Sequence, residues 1–179
     1  MSDVSHPASH PDEPTSEAKP VFETIRYEVD GPVATVTLAR PDKANAQSML
    51  MIDELDAALD LVMADDAVRV AILAADGKHF SAGHDLAELV GPDADPALQA
   101  ERSTPEGKLA HERRMYFDRC VRLYELPKPT IAAVQGKCIA AGLMLAAMCD
   151  LIVASDDASF ANPVARMSGA GVELHRHRF

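Results

Sequence analysis

Thr130-Ile131-Ala132-Ala133-Val134-Gln135-Gly136-Lys137-Cys138-Ile139-Ala140-Ala141-Gly142-Leu143 decides how the chain folds. A short apolar, β-branched run passes through Gln-Gly into small residues and then into a helix ending near Asp150. Leu151-Ile152-Val153-Ala154 follows at once as a second such run. Continuous apolar runs of this length, bounded by turn residues, read as strands covered on both faces. Strand, turn, helix and strand in that order form a crossover unit, and the fold class is α/β.

Working outward, Lys128-Pro129 stops a helix spanning Leu109 to Glu125, because the residue before proline leaves the helical region. Val68-Arg69-Val70-Ala71-Ile72-Leu73-Ala74 reads as a further buried strand, closed by Asp76-Gly77. Pro92, Pro96 and Pro105 mark the stretch from Gly91 to Gly107 as a loop or mobile insertion. Met49, Ile52, Leu55, Leu59 and Val62 recur at helical spacing after Ser48, with Asp53, Glu54, Asp56 and Asp60 as a solvated acidic face. Before them, Phe22 to Val29 and Val33 to Leu38 are joined by Asp30-Gly31-Pro32 and read as a hairpin.

The chain has 179 residues, 47% hydrophobic and 25% charged, and a net charge of −11, which suits one globular domain and repels phosphodiester backbones. Nucleic acid is therefore not an expected partner. No apolar run is long enough to span a membrane, and the N-terminus lacks the pattern of a signal peptide, so a cytoplasmic protein is expected. Cys120, Cys138 and Cys149 are odd in number and widely spaced, which fits neither a disulfide framework nor a zinc site. Residues 1–20, rich in proline and serine, read as a disordered leader, in which His6 and His10 make a poor metal site because binding would have to order the segment.

Two stretches place small residues after a buried strand and before a helix, where backbone N–H groups are free to face a ligand. They are His79-Phe80-Ser81-Ala82-Gly83-His84-Asp85-Leu86 and the segment running from Ala132 to Leu143. Either alone is a common α/β junction. Together they supply two donors from separate loops, as an oxyanion hole requires, and one such donor is worth about 3–4 kcal/mol in a measured protease case.

These two stretches, with Leu38-Ala39-Arg40-Pro41-Asp42-Lys43-Ala44-Asn45-Ala46 and Cys149-Asp150-Leu151-Ile152-Val153-Ala154, resemble the crotonase (enoyl-CoA hydratase/isomerase) superfamily over about Val21 to Met167. The resemblance implies the N-terminal part of a ββα spiral core over 21–167, followed by an atypical tail at 168–179. It also implies an acyl-CoA thioester ligand, with coenzyme A part of the substrate and no further cofactor or metal. The thioester carbonyl would sit between the amides of His84 and Ala141, and Ala44, Ala82, Asp85 and Leu86 would line the CoA and thioester channel. Asp85 has a second reading as a helix N-cap.

Met144 and Val164 occupy the positions at which the family's hydratases carry their two glutamates. Neither side chain moves a proton, and each general acid or base is worth roughly 10²–10⁴ in rate, so hydration is expected to be weak or absent. His84 and Glu173 are the candidate substitutes; for His84, a side chain turned away with only its amide facing the ligand is the preferred reading. The family's C-terminal helices, which build a trimer or hexamer, have no counterpart, and Leu174-His175-Arg176-His177-Arg178-Phe179 departs from the pattern, as a frame change or truncation would. Three functions stay open: a lyase or isomerase of fatty acid metabolism, a non-catalytic acyl-CoA carrier, and an inactive truncated product.

Overall fold

The computed structural model describes residues 20–90, 94–164 and 166. Most of the leader with its histidines, Met167, Glu173 and the 168–179 tail lie outside the described residues. The chain opens on a hairpin of β1 (Ile25–Asp30) and β2 (Val33–Leu38), turned at Gly31 in the left-handed region, φ +54°. Helix α1 (Met49–Ala64) then crosses to β3 (Val70–Ala75). Ser48 caps α1 by accepting from Met51 N at 3.1 Å.

Four elements follow: α2 (Leu86–Val90), α3 (Pro96–Glu101), α4 (Pro105–Glu112) and α5 (Asp118–Tyr124), with a π-helical turn at Arg113–Phe117 joining the last two. Then come β4 (Thr130–Val134), β5 (Lys137–Ile139), α6 (Ala141–Met148), β6 (Leu151–Ala154) and β7 (Ser159–Ala161). The main sheet has the order β1-β2-β3-β4-β6. Only β1–β2 is antiparallel; β2–β3, β3–β4 and β4–β6 are parallel, each reached through helical crossovers. β5 and β7 form a separate parallel pair.

The core lies between one face of the sheet and α1, α5 and α6. Met51, Ile52 and Ala58 of α1 meet Val36, Leu38 and Leu73 of the sheet, Cys120 and Leu123 of α5, and Met144, Leu145 and Met148 of α6. Glu54 is buried too, its carboxylate accepting from Glu23 N at 2.7 Å, Thr24 N at 2.8 Å and the Thr24 hydroxyl. It fastens α1 to the start of the hairpin. Cys120, Cys138 and Cys149 are buried free thiols.

Three sequence expectations change. The stretch from Gly91 to Gly107 is not simply a loop: Pro96 and Pro105 stand at the first turns of α3 and α4, where a missing N–H costs nothing, with Asp95 and Thr104 as caps. The acidic side of α1 is not merely solvated, since Asp53 pairs with Arg119 and Asp56 and Asp60 pair with Arg122 of α5. And β6, expected to be covered on both faces, is exposed, with Leu151 at 61% and Val153 at 63%. It forms the edge of the described sheet, and its apolar run records a burial that the described residues do not supply.

Candidate functional site

The segment 80–85 runs between two neighbours. On one side it meets β5: Ser81 N donates to Lys137 O at 3.1 Å and Ile139 N to Ser81 O at 2.9 Å. On the other it meets the turn after β2: Ala82 N donates to Ala44 O at 3.0 Å, Gln47 N to Gly83 O at 2.8 Å and Asp85 N to Gln47 O at 2.9 Å. The last two bonds flank His84 in a parallel bridge with Gln47. Since successive residues of an extended segment present their N–H groups to opposite edges, the His84 N–H is turned away from Gln47. Helix α6 starts on that far side: a Cβ placed on Gly83 would lie 3.1 Å from Ile139 O and 3.3 Å from Ala141 N.

Ala141 is the first residue of α6, so its N–H has no acceptor within the helix. Ala140, at the cap position, offers no side-chain acceptor either, and its backbone stands at φ +53°, ψ −119°, a region few residues other than glycine adopt. The chain thus turns sharply between β5 and α6, and the turn brings the start of the helix against Gly83. Gly142 completes the close approach, because a Cβ there would come within 2.7 Å of Ser81 O.

Side chains fix this arrangement from behind, and of these only Asp85 was assigned a role from sequence. Asn45, fully buried with φ +51°, accepts from Arg40 N at 2.9 Å and donates to Asp76 O and His79 O, both at 2.8 Å. Ser81 donates to Asn45 O at 2.8 Å and its oxygen accepts from Gly83 N at 3.2 Å. Arg40 donates to Ala46 O at 2.6 Å and pairs with Asp85 at 3.0 Å. Polar residues inside quoted motifs, buried and bonding across loops, were the available signal.

Of the channel residues, Ala44 and Ala82 are joined by their backbones, Ala44 half-buried and Ala82 exposed. Leu86 is exposed. Asp85 accepts weakly from Ala87 N at 3.3 Å at the start of α2, so the capping reading applies alongside its pair with Arg40.

The His84 ring does not turn out to solvent. It stacks on Tyr116 of the π-helical turn with ring centroids 3.8 Å apart, and burial lowers its pKa to about 4, against a partly compensating Glu112 and with Arg102 and His111 adding to the drop. At neutral pH it is uncharged. Burial likewise pushes the Tyr116 phenol well above its usual range. Met144 is 4% exposed and lines, with Gln47, Met115, Tyr116 and Cys120, an apolar cavity of about 60 Å³ against the sheet. Val164 stands beyond β7, its backbone N–H near Asn162 Oδ1 at 3.3 Å. Among the described residues no group of three potential metal ligands is assembled, and no helix is long and apolar enough to cross a membrane.

Comparison with known proteins gives this architecture its family. Residues 28–171 match the family model described as enoyl-CoA hydratase/isomerase. The chain is 46% identical over 169 residues to a putative enoyl-CoA hydratase, EchA13, of Mycobacterium tuberculosis, covering 87% of this chain and 53% of that protein. It is 37% identical over 142 residues to a probable enoyl-CoA hydratase of Rhizobium meliloti, covering 79% and 50%. Among solved structures, a probable enoyl-CoA hydratase from Mycobacterium smegmatis superposes with a TM-score of 0.70 at 49% identity, over 80% of this chain and 53% of that one. An enoyl-CoA hydratase/isomerase from Xanthobacter autotrophicus reaches 0.75 at 35% identity, over 86% and 54%. The chain spans about half the length of the curated relatives it matches. With the family model matched across most of its length and crotonase-fold structures superposing on its sheet and helices, the chain belongs to the enoyl-CoA hydratase/isomerase family.

Proposed function

We propose that the chain binds an acyl-CoA thioester and polarises its carbonyl between the amides of His84 and Ala141. The observation that carries this reading is the meeting of two segments whose N–H groups are not consumed by their own elements, the bridge at His84 and the uncapped start of α6. Two donors aimed at one oxygen stabilise charge that develops there, and they do so without reorganising when it develops. Coenzyme A enters as part of the substrate, and Ala44, Ala82, Asp85 and Leu86 lie along the approach to the amides. Fatty acid metabolism in the cytoplasm and the family's trimeric or hexameric assembly belong to the same reading.

Hydration of a 2-enoyl thioester needs a group to activate water and a group to manage the α-proton, and Met144 and Val164 do neither. We therefore expect polarisation and binding to outlast hydration. A non-catalytic acyl-CoA carrier is the second reading, favoured by the burial of Met144 among apolar neighbours where hydratases carry an acid. Crotonyl-CoA hydration, followed by loss of the enoyl absorbance, tests the loss of acid–base chemistry, and turnover within tenfold of a competent hydratase refutes it. Calorimetry with butyryl-CoA against free CoA tests the binding, and the absence of saturable binding refutes the acyl-CoA reading itself.

A further inference from the structure

Three side chains near the first amide carry polar atoms without a hydrogen-bond partner among the described residues: His84 Nδ1, Tyr116 Oη and His111 Nε2, while His111 Nδ1 has only the Glu101 carboxylate 3.7 Å away. They touch in a row. His84 stacks on Tyr116 at 3.8 Å, and His111 meets Tyr116 edge-on at 5.7 Å. Tyr116 is 5% exposed and His111 1%. Folding tolerates few such atoms, since a buried polar group without a partner forfeits its hydration for nothing. Their concentration at His84, around a Tyr116 that sits in a π-helical turn of the kind often found at functional positions, calls for a ligand that supplies the missing partners.

The cations around the row are paired. Glu101 pairs with Arg114 at 3.0 Å and lies 3.7 Å from His111 Nδ1, while Glu112 pairs with Arg102 at 2.7 Å. Among the described residues Arg102 and Arg114 are both paired and so are not free to take a carboxylate. Desolvation also lowers the pKa of His111, so all three rings are neutral at pH 7, with donors and acceptors but no charge. Tyr116 also lines the cavity that holds Met144, the position facing the reacting part of the acyl group in the reading above.

From this geometry we infer that the hydroxyl of Tyr116, whose ring packs on that of His84, hydrogen-bonds a neutral hydroxyl or keto oxygen on the bound acyl group, so that Tyr116 is a specificity-determining residue selecting oxygenated over saturated acyl thioesters. This rests on the acyl-CoA reading. A saturated chain leaves the Tyr116 hydroxyl unpaired; an oxygenated one supplies its partner.

The test is a matched pair of ligands, butyryl-CoA and 3-hydroxybutyryl-CoA, titrated calorimetrically into the full chain and into Tyr116→Phe, which keeps the ring and its stacking. The wild-type chain is expected to bind the hydroxy ligand about tenfold more tightly, the worth of one good buried hydrogen bond. In Tyr116→Phe the ratio is expected to fall below about threefold with butyryl-CoA affinity unchanged. Equal binding of both ligands by the wild-type chain overturns the inference and leaves the acyl-CoA reading standing, and this measurement needs no variant. A ratio that survives Tyr116→Phe also overturns it. Failure of the wild-type chain to bind either ligand overturns both readings together.

Discussion

Gly142→Ala tests the packing that brings the two amides together. A Cβ at this position would lie 2.7 Å from Ser81 O, 2.8 Å from Ser81 Cβ and 3.1 Å from Ser81 Oγ. Ordinary contact begins at 3.4 Å, so something must move by about 0.7 Å. Ser81 is poorly placed to yield: its N–H and C=O are both bonded to β5, and its hydroxyl is bonded to Asn45 O at 2.8 Å. The start of α6 must therefore lift, carrying the Ala141 N–H with it. Overpacking of this kind costs about 1–3 kcal/mol of stability. The same displacement withdraws one of two donors from the carbonyl, and a neutral hydrogen bond to a bound ligand is worth about 0.5–1.5 kcal/mol.

Two measurements separate these effects. Urea unfolding reads the stability, and the infrared carbonyl band of a ¹³C-labelled butyryl-CoA reads the hydrogen bonds to the thioester oxygen. The band should shift to lower frequency on binding to the wild-type chain, and the shift should shrink in Gly142→Ala. Gly31→Ala is the control. It also has a positive φ, but nothing lies within 4 Å of its Cβ position, so it should cost about 1 kcal/mol in backbone strain and leave the band alone. A Gly142→Ala protein as stable as the wild type, with an unchanged carbonyl shift, would refute the close approach of Ser81 and α6 as the device that sets the site.

Further outcomes follow from the same contacts. Ala140→Gly relieves a backbone conformation costing about 1–3 kcal/mol, less the extra unfolded-state entropy of glycine, so a net gain of about 1 kcal/mol in urea unfolding is expected and a loss would contradict the strain. Glu54→Ala leaves Glu23 N, Thr24 N and the Thr24 hydroxyl without their acceptor, and should cost about 3–5 kcal/mol, while a value under 1 would sink the account of how α1 is fastened. His84 titrates near 4 folded and near 6.5 unfolded, so between those values the unfolded chain holds the extra proton: its contribution is intact above about pH 6.5 and falls by about 1–3 kcal/mol as the pH drops toward 4. Wild type and His84→Phe, melted at pH 7.5 and 5.0, should differ in pH slope, and parallel behaviour would count against the buried neutral ring. Tyr116→Phe should be as stable as the wild type or up to about 1 kcal/mol more so, because it removes an unpaired buried hydroxyl; a large loss would mean that the hydroxyl has a structural partner.

Local patterns carried much of the fold. The alternation of Val33 to Leu38 and the helical spacing from Met49 to Val62 are properties of single elements, and β2 and α1 stand where those patterns put them. Gly83-His84 and Ala140-Ala141 come together because the segment 80–85 pairs with β5 at Ser81, just before the turn into α6. What escaped depended on partners distant in sequence or on choosing between two local rules. Pro96 and Pro105 obey the first-turn rule as well as the breaker rule, and only packing decides. β5 and β7, with three residues each, are too short to show a period and exist through pairing with each other. Tyr116 and His111 sit in a charged helical run, and nothing in that run says that a one-residue widening of the helix sets Tyr116 on a ring more than thirty positions earlier. The exposed apolar β6 shows the opposite failure, since composition reports that a strand wants covering without saying what covers it.

The two parts of the chemistry differ in how they depend on sequence. On the proposed reading, carbonyl polarisation uses main-chain N–H groups, so it tolerates His84 and Ala141 so long as the bridge at Gln47, the tight turn at Ala140 and the bare Gly142 hold the amides in place. Acid–base chemistry uses side chains, and a single substitution ends it. Nor would Met144→Glu simply bring it back: the new carboxylate would be buried beside Met115 and Leu145, among the 4%-exposed surroundings that now suit a thioether, and would have to keep its proton or remain unpaired at a cost of several kcal/mol. Met144 and Tyr116 line one cavity, apolar for the most part but also lined by Gln47, Asp56, Arg119 and Thr130. On the proposed reading such a site keeps main-chain polarisation of a thioester without side-chain proton transfer, and the Tyr116 hydroxyl selects the acyl group it holds.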